Sequence, residues 1–338
     1  MITLTLLVIL GAFIRLVKQP SAERLFFTKE RGLWLRALLP LAIVAHHVAQ
    51  RYDLLPMFVD YDLDLIGAYV VCAFFFMSGY GMECKRSDNQ CCTPPPCAVG
   101  ITRVACLIKQ LASRLKSIVL PTIIPIAIYY GVMAIKGYDV MRVLISNMSN
   151  DHYPLPFCWF LVTLACLYLI FYLVEVITEN YFGILLFVLL FAVIILCHIL
   201  HYPMVWQYAT ILTFVVGVGY KQIEIKITSK LFWWILPLTI VVIGISCTVI
   251  PRGCSELLYG LWTLGFFVAY AFLPILQKRS RIIQFLSGIS YELYLCQCIG
   301  FAIVPVTWNP WVILLTIIII DITFAVISKY LSKQIIKL

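Results

Sequence analysis

Long apolar stretches recur along almost the whole of this chain, separated by short breaks that carry its charges and many of its prolines. A helix that crosses a bilayer needs about 20 consecutive, mostly apolar residues, and this spacing makes lipid the solvent in which the chain folds. Reading the apolar runs between polar or proline-containing breaks predicts helices over residues 2–17, 33–50, 65–82, 118–135, 157–177, 182–200, 204–220, 231–249, 256–276, 286–305 and 311–328. The expected fold is therefore all-α, a polytopic transmembrane helical bundle of about 11 spans, with no room for a large soluble domain. Composition agrees: 12% of the residues are charged and 63% hydrophobic, whereas a soluble domain carries about 25% charged residues. The first run lacks a basic n-region and a small-residue cleavage site, so it is read as a helix rather than a leader.

In a soluble protein the net charge of +9 would suggest a nucleic-acid partner. Here the basic residues are dispersed between apolar segments, where they set topology, and no nucleic acid is expected. Every second loop but one is basic: Lys18, Arg24, Lys29 and Arg31; then Lys85, Arg86, Arg103, Lys109, Arg114 and Lys116; then Lys221, Lys226 and Lys230; then Lys278, Arg279 and Arg281. The loop at 178–181 breaks the pattern with no basic residue, Glu175 and Glu179 lying nearby. The loops between them are poor in Lys and Arg, and the one after the second span carries Asp53, Asp60, Asp62 and Asp64. The positive-inside rule then predicts an outer N-terminus and a cytoplasmic C-terminus.

The chain has 13 cysteines. Cys72, Cys166, Cys197, Cys247, Cys296 and Cys298 fall inside apolar runs, where cysteine behaves as a small hydrophobe. Cys84, Cys91, Cys92 and Cys97 lie in CKRSDNQCCTPPPC, within a stretch, residues 83–117, read as a cytoplasmic Cys/Pro-rich basic loop because three successive prolines forbid helix. Their spacing lacks a C-x2-C pair and no loop histidine joins them, so no metal is expected.

One span is polar. Arg36 and His47 are eleven residues apart, about three helical turns, so they share one stripe with roughly 16 Å between them along the axis. Pro40 falls between them and predicts a kink. Ionisable residues inside a span are costly and face a cavity or a partner. Two plainer readings compete: Arg36 snorkelling to the headgroups, and His46 or His47 hydrogen-bonding between helices.

This helix, LRALLPLAIVAHH, resembles the acyltransferase 3 family of membrane O-acyltransferases, which decorate bacterial surface polysaccharides, nodulation factors and related glycans; Arg36 and His47 reproduce its Arg, ten residues, His motif. Three further segments are similar to family helices, in the family's order: GAYVVCAFFFMSGYGM at 67–82, PFCWFLVTLACLYL at 156–169 and LSGISYELYLCQ at 286–297. The chain departs from the family at Gln297, where many members have His, and at Ser117, where a second arginine is usual and Lys116 stands beside it. The resemblance implies a ten-helix core over 33–338, with residues 1–32 as an added N-terminal helix and cytoplasmic linker. It also implies a bacterial inner-membrane location.

It further implies acetyl-CoA as acyl donor and a glycan or glycolipid hydroxyl as acceptor. Acyl transfer needs a base for the alcohol proton, and a neutral imidazole, with an unperturbed pKa of about 6.5, suits that task. His47 is the candidate base, with His46 about 100° away on the same helix. Arg36 positions donor or substrate, and Arg114 and Lys116 are candidates for the phosphates of the donor. Ser78, Tyr80, Trp159 and Tyr291 are candidate substrate-binding residues. Against these roles stand helix close-packing at Ser78–Gly79, interfacial anchoring by Trp159 and interhelical hydrogen bonding by Tyr291 and Tyr294. Asp151, His152, Tyr153 and Glu256 suit a sugar acceptor or a solvated loop equally. A transporter of a small solute or glycan intermediate is the competing function, with helices broken at Pro40, Pro121, Pro125 and Pro237.

Overall fold

The computed structural model describes residues 2–18, 29–51, 57–91, 101–150, 153–178, 180–224, 229–248, 255–273, 280–305 and 307–337. Every regular element among them is helical: α1 (Ile2–Lys18), α2 (Lys29–Arg51), α3 (Met57–Cys91), α4 (Ile101–Ile135), α5 (Val140–Asn150), α6 (Trp159–Ile177), α7 (Phe182–Ile199), α8 (Val205–Ala209), α9 (Leu212–Ile223), α10 (Ser229–Thr248), α11 (Ser255–Phe272), α12 (Arg281–Gly288), α13 (Ser290–Ile303) and α14 (Pro310–Lys337). Arg24, Asp53, Cys92, Cys97, Asp151, His152, Lys226, Lys278 and Arg279, named above, lie outside the described residues, as do the side chains of Lys29, Asp60, Asp62, Asp64, Cys91 and Cys247.

Among the described residues six helices are long and apolar enough to cross a membrane: Arg31–Arg51, Ile66–Ser87, Arg103–Ile135, Trp159–Ile177, Phe182–Ile199 and Pro310–Gln334. α12 and α13 together make a seventh, bent by 70° at Ile289. The chain is thus an integral membrane protein, and the structure supports six to seven spans by length and composition rather than eleven. Of the remaining runs, α1 has 17 residues, the run at 204–220 is split into α8 and α9, and within α10 and α11 the apolar stretches are the shorter Lys230–Val241 and Leu258–Phe272.

Two expectations are corrected. Much of the segment read as a loop, residues 83–117, is helical: α3 runs on to Cys91 and α4 begins at Ile101. Lys, Arg, Gln and Glu are good helix formers, and basic residues carry both helices past their apolar stretches. The prolines also do not break their helices: α2 continues through Pro40, α4 through Pro121 and Pro125, and α10 through Pro237. Neighbouring groups can take up the freed carbonyls in a membrane helix, and the sharp break falls instead at Ile289.

The helices group into two compact units, each assembled from three stretches of chain. The first comprises Met1–Lys29, Ala68–Leu111 and Cys166–Gln277. Its core is aromatic: Phe75, Phe76, Phe171, Phe182, Phe214, Trp262, Phe266, Phe267 and Phe272 are buried, and Phe76 stacks on Phe267 with centroids 3.6 Å apart. α1 joins this unit by packing along α11. The Trp262 indole donates to Thr5 Oγ1 at 3.1 Å and Arg15 Nη1 to the Phe272 carbonyl at 2.8 Å. α3 and α9 meet through glycines, for a Cβ at Gly79 would lie 2.0 Å from the Phe214 carbonyl oxygen, and one at Gly217 2.1 Å from that of Phe76.

The second unit comprises Glu30–Gly67, Ala112–Ala165 and Lys278–Leu338. α13 packs along α14, and Val44 and Val48 of α2 share a buried cluster with Val304, Ile313 and Ile317. Gly300 lets the two last helices close: its N–H donates to Asp321 Oδ1 at 3.1 Å, and a Cβ there would sit 2.6 Å from that oxygen. Asp321→Asn keeps the accepting oxygen and is expected to hold stability within about 1 kcal/mol of the parent. Asp321→Leu removes the acceptor and should cost about 1–3 kcal/mol, read as a lower melting temperature in detergent.

Candidate active site

α2 carries the polar stripe, and its environment changes along its length. Arg36 is exposed and folds back on its own helix, Nε donating to the Gly32 carbonyl at 3.2 Å. Among the described residues no carboxylate pairs with it, so its guanidinium keeps donors available for an anion. The i to i−4 contact follows from helix geometry, which stacks side chains four apart.

His47, three turns on, is held from two sides. Its Nδ1 lies 3.2 Å from Gln50 Oε1, one turn further along α2. Its ring stacks on Phe157, with centroids 4.0 Å apart and planes at 29°. Phe157 belongs to the turn before α6 and has φ of 67°, a left-handed backbone that a bulky residue adopts only where its surroundings enforce it. Those surroundings are visible: its carbonyl accepts from the Tyr294 hydroxyl of α13 at 2.5 Å. The Arg51 guanidinium lies 5.9 Å from the Phe157 centroid and 4.6 Å from that of Phe301, within cation–π range. A strained turn is thus clamped to α13 so that it presents an aromatic face to His47.

His46 points elsewhere, as a 100° step requires. It is buried against α3, where a Cβ on Gly67 would stand 2.3 Å from its Nε2. Tyr291 bonds across to α4, its hydroxyl donating to the Ile118 carbonyl at 2.6 Å and lying 3.1 Å from Thr122 Oγ1. Trp159 opens α6 beside Phe160, with ring centroids 6.4 Å apart. Arg114 and Lys116 lie on α4. Arg114 is partly buried with its Nε lacking a partner among the described residues, while Lys116 is exposed. Gln297 of α13 is wholly buried with neither amide atom bonded to a described residue.

The structure therefore places Arg36, His46, His47, Arg114, Lys116, Trp159 and Tyr291 in the second unit, where Gln50 and Phe157 meet at His47 while Tyr291 bonds to α4. Ser78 and Tyr80 belong to the first unit. There the Tyr80 hydroxyl donates to Glu224 at 2.9 Å, and Glu224 also accepts from Lys221 at 3.3 Å. Among the described residues no group of three or more His, Cys, Asp or Glu side chains is placed to hold a metal. Glu256, named above as a sugar-binding candidate, pairs with His198 at 2.9 Å.

Sequence reasoning missed Phe157, Gln50 and Arg51. Gln50 and Arg51 had a signal, since residues three and four beyond His47 share its helix face. Phe157 had a weaker one: it follows Pro156 in a turn, and a positive φ cannot be read from residue type when the residue is aromatic.

The family whose description reads acyltransferase domain matches residues 34–329 of the chain. No curated protein and no solved structure matches it.

Proposed function

This chain belongs to the acyltransferase 3 family, and from that premise we propose that it is a membrane O-acyltransferase moving an acetyl group from cytoplasmic acetyl-CoA to a hydroxyl of a cell-surface glycan or glycolipid. The observation that carries this reading is the α2 stripe: an exposed Arg36 at one end, and at the other a His47 whose ring is clamped between Gln50 and Phe157. The basic residues that precede α2 and follow the apolar stretch of α3, against the acidic segment between those stretches, favour the Arg36 end at the cytoplasm, where acetyl-CoA is made. His47 then lies about 16 Å nearer the outer face, where a surface glycan is found. Arg36, with Arg114 and Lys116, binds donor phosphates. His47 takes the proton of the acceptor hydroxyl as its oxygen attacks the thioester carbonyl. Trp159, Tyr291 and His46 shape the acceptor side of the same unit, and Ser78 and Tyr80 serve substrate binding in the other.

The test is incubation of the purified full-length protein in lipid nanodiscs with acetyl-CoA and a glycolipid extract. Acceptor-dependent release of free CoA supports the reading, and absence of release overturns it. Transport of a small solute or glycan intermediate is the second reading, favoured by the 70° break between α12 and α13, because interrupted spans build the sites of many transporters. Solute flux without CoA release would select it.

Arg36→Ala is expected to raise the KM for acetyl-CoA by about 10-fold or more, the worth of a charge-assisted hydrogen bond, with a smaller effect on kcat. Arg36→Lys should recover part of the loss, since an ammonium keeps the charge but loses the planar fork that fits phosphate.

A further inference from the structure

An imidazole base has two nitrogens, and we propose that Gln50 selects between them: it holds His47 as the Nδ1–H tautomer and leaves Nε2 as the basic atom. Gln50 is a positioning residue, and its catalytic meaning rests on the acyl-transfer reading above. The argument is one of donors and acceptors. Gln50 Oε1 only accepts hydrogen bonds, and it faces His47 Nδ1 at 3.2 Å. With the amide oxygen turned to the ring as the structure has it, two lone pairs cannot share that contact, and the hydrogen is assigned to Nδ1. A neutral imidazole carries one N–H, and Nε2 therefore holds the free pair.

The device is local and cheap to build. Residues three apart on a helix are neighbours, so the backbone of α2 brings Gln50 to His47 without help from another element. The stack on Phe157 fixes the plane of the ring, and the hydrogen bond fixes its rotation about that plane. An unrestrained histidine side chain favours the opposite, Nε2–H form, so the contact reverses the intrinsic preference. Phe157 is itself immobilised by its bond to Tyr294, and the orientation of the imidazole is set before any substrate arrives.

The chemistry closes around this tautomer. Nε2 takes the proton of the acceptor hydroxyl as the hydroxyl oxygen bonds to the thioester carbonyl carbon. Collapse of the tetrahedral intermediate breaks the C–S bond, and the proton on Nε2 passes to the departing thiolate. One C–O bond has formed, one C–S bond has broken, and the imidazole returns to the Nδ1–H form. During the step the ring is cationic, and Gln50 Oε1 remains an acceptor for the Nδ1–H throughout.

Histidine-selective 15N NMR of the full-length protein in nanodiscs tests the tautomer directly. The chain has five histidines, and the signal missing from His47→Asn identifies the one in question. In the neutral ring Nδ1 is expected at the shift of a protonated nitrogen and Nε2 at that of an unprotonated one. Gln50→Leu should move the ring toward the Nε2–H form, while Gln50→Glu, which keeps an accepting oxygen, should retain the Nδ1–H signature. Gln50 is exposed, so neither substitution opens the core. A wild-type ring in the Nε2–H form, or a Gln50→Leu spectrum unchanged from wild type, would overturn the proposal. In acetyl-CoA turnover by the same preparations, Gln50→Leu should lower kcat by about 10-fold or more with KM little changed, as for other groups that orient a reacting imidazole. An unchanged kcat beside a shifted tautomer removes the catalytic half of the inference. Full transfer by His47→Ala removes His47 from the mechanism and the catalytic half of the inference with it, whereas absence of acceptor-dependent CoA release by the wild type overturns the functional reading instead; either leaves the NMR result standing as a fact about the ring.

Discussion

His47→Ala should lower acyl transfer by a factor of about 10²–10⁴, the range supplied by a positioned general base, while the protein still inserts and folds. The structure supports the second half of that statement as well as the first. His47 is only partly buried, and what it gives to stability is one ring stack and one hydrogen bond to an exposed glutamine. Such contacts are worth about 0.5–1.5 kcal/mol each. His46→Ala is the matched control, because the two residues are adjacent but their surroundings differ. His46 is buried and fits the space that Gly67 leaves on α3, so its loss opens a cavity and lowers the melting temperature by more than the chemistry. The measurement is acetylation of membrane glycans by mass spectrometry, normalised to the amount of each variant in the membrane. Wild-type acetylation by His47→Ala would remove the residue from the mechanism.

How the two histidines differ shows what a linear reading can and cannot reach. An ionisable pair in an apolar run is conspicuous because lipid makes it costly, and helical periodicity alone puts Arg36 and His47 on one face. The same periodicity separates His46 from His47. What surrounds His47 depends on a residue more than a hundred positions away: Phe157 is brought to it by a left-handed turn whose carbonyl is held by Tyr294. No local preference of Pro156–Phe157 specifies that geometry. The number of spans is legible only in part: hydropathy marks a run as apolar, but among the described residues α1 has 17 residues and the run at 204–220 is divided into α8 and α9, so length and composition support six to seven crossings. The prolines misled in the opposite sense. An interior proline removes one backbone donor from its helix, yet α4 runs unbroken through Pro121 and Pro125, as membrane helices tolerate. The break at Ile289 has no proline at all. It follows Gly288 and restarts at Ser290, a weak signal in sequence beside the prolines that drew attention.

Gly79→Ala should be the most damaging conservative change in the first unit. Ser78–Gly79–Tyr80 was open to two readings, substrate binding and close helix packing, and the glycine in its middle has a clear packing role. Its missing Cβ would fall 2.0 Å from the carbonyl oxygen of Phe214 and 2.9 Å from the carbon of that group. Those are backbone atoms, which cannot swing aside as a side-chain tip can, so α3 and α9 must separate. The contact is reciprocal, since the Cβ missing from Gly217 would fall 2.1 Å from the Phe76 carbonyl oxygen. Small residues that let two backbones approach are the main device by which helices associate in lipid, where burial of apolar surface gives no preference for protein over acyl chains. Separation would also disturb the Phe76–Phe267 stack at 3.6 Å and pull Tyr80 from Glu224. Overpacking of this kind costs about 1–3 kcal/mol or more, a large part of the stability of an ordinary fold. The expected result is loss of monodisperse protein on size-exclusion chromatography, or a fall in melting temperature large enough to be unmistakable. Gly217→Ala should match it, and the double variant should be less than additive because both act at one crossing. Gly81→Ala and Gly219→Ala are the controls on the same two helices, for neither glycine has an atom within 4 Å of the added carbon. Both should be neutral or stabilising by about 0.5–1 kcal/mol, the ordinary gain of alanine over glycine inside a helix. If Gly79→Ala behaves like Gly81→Ala, the α3–α9 contact is not what holds this unit together.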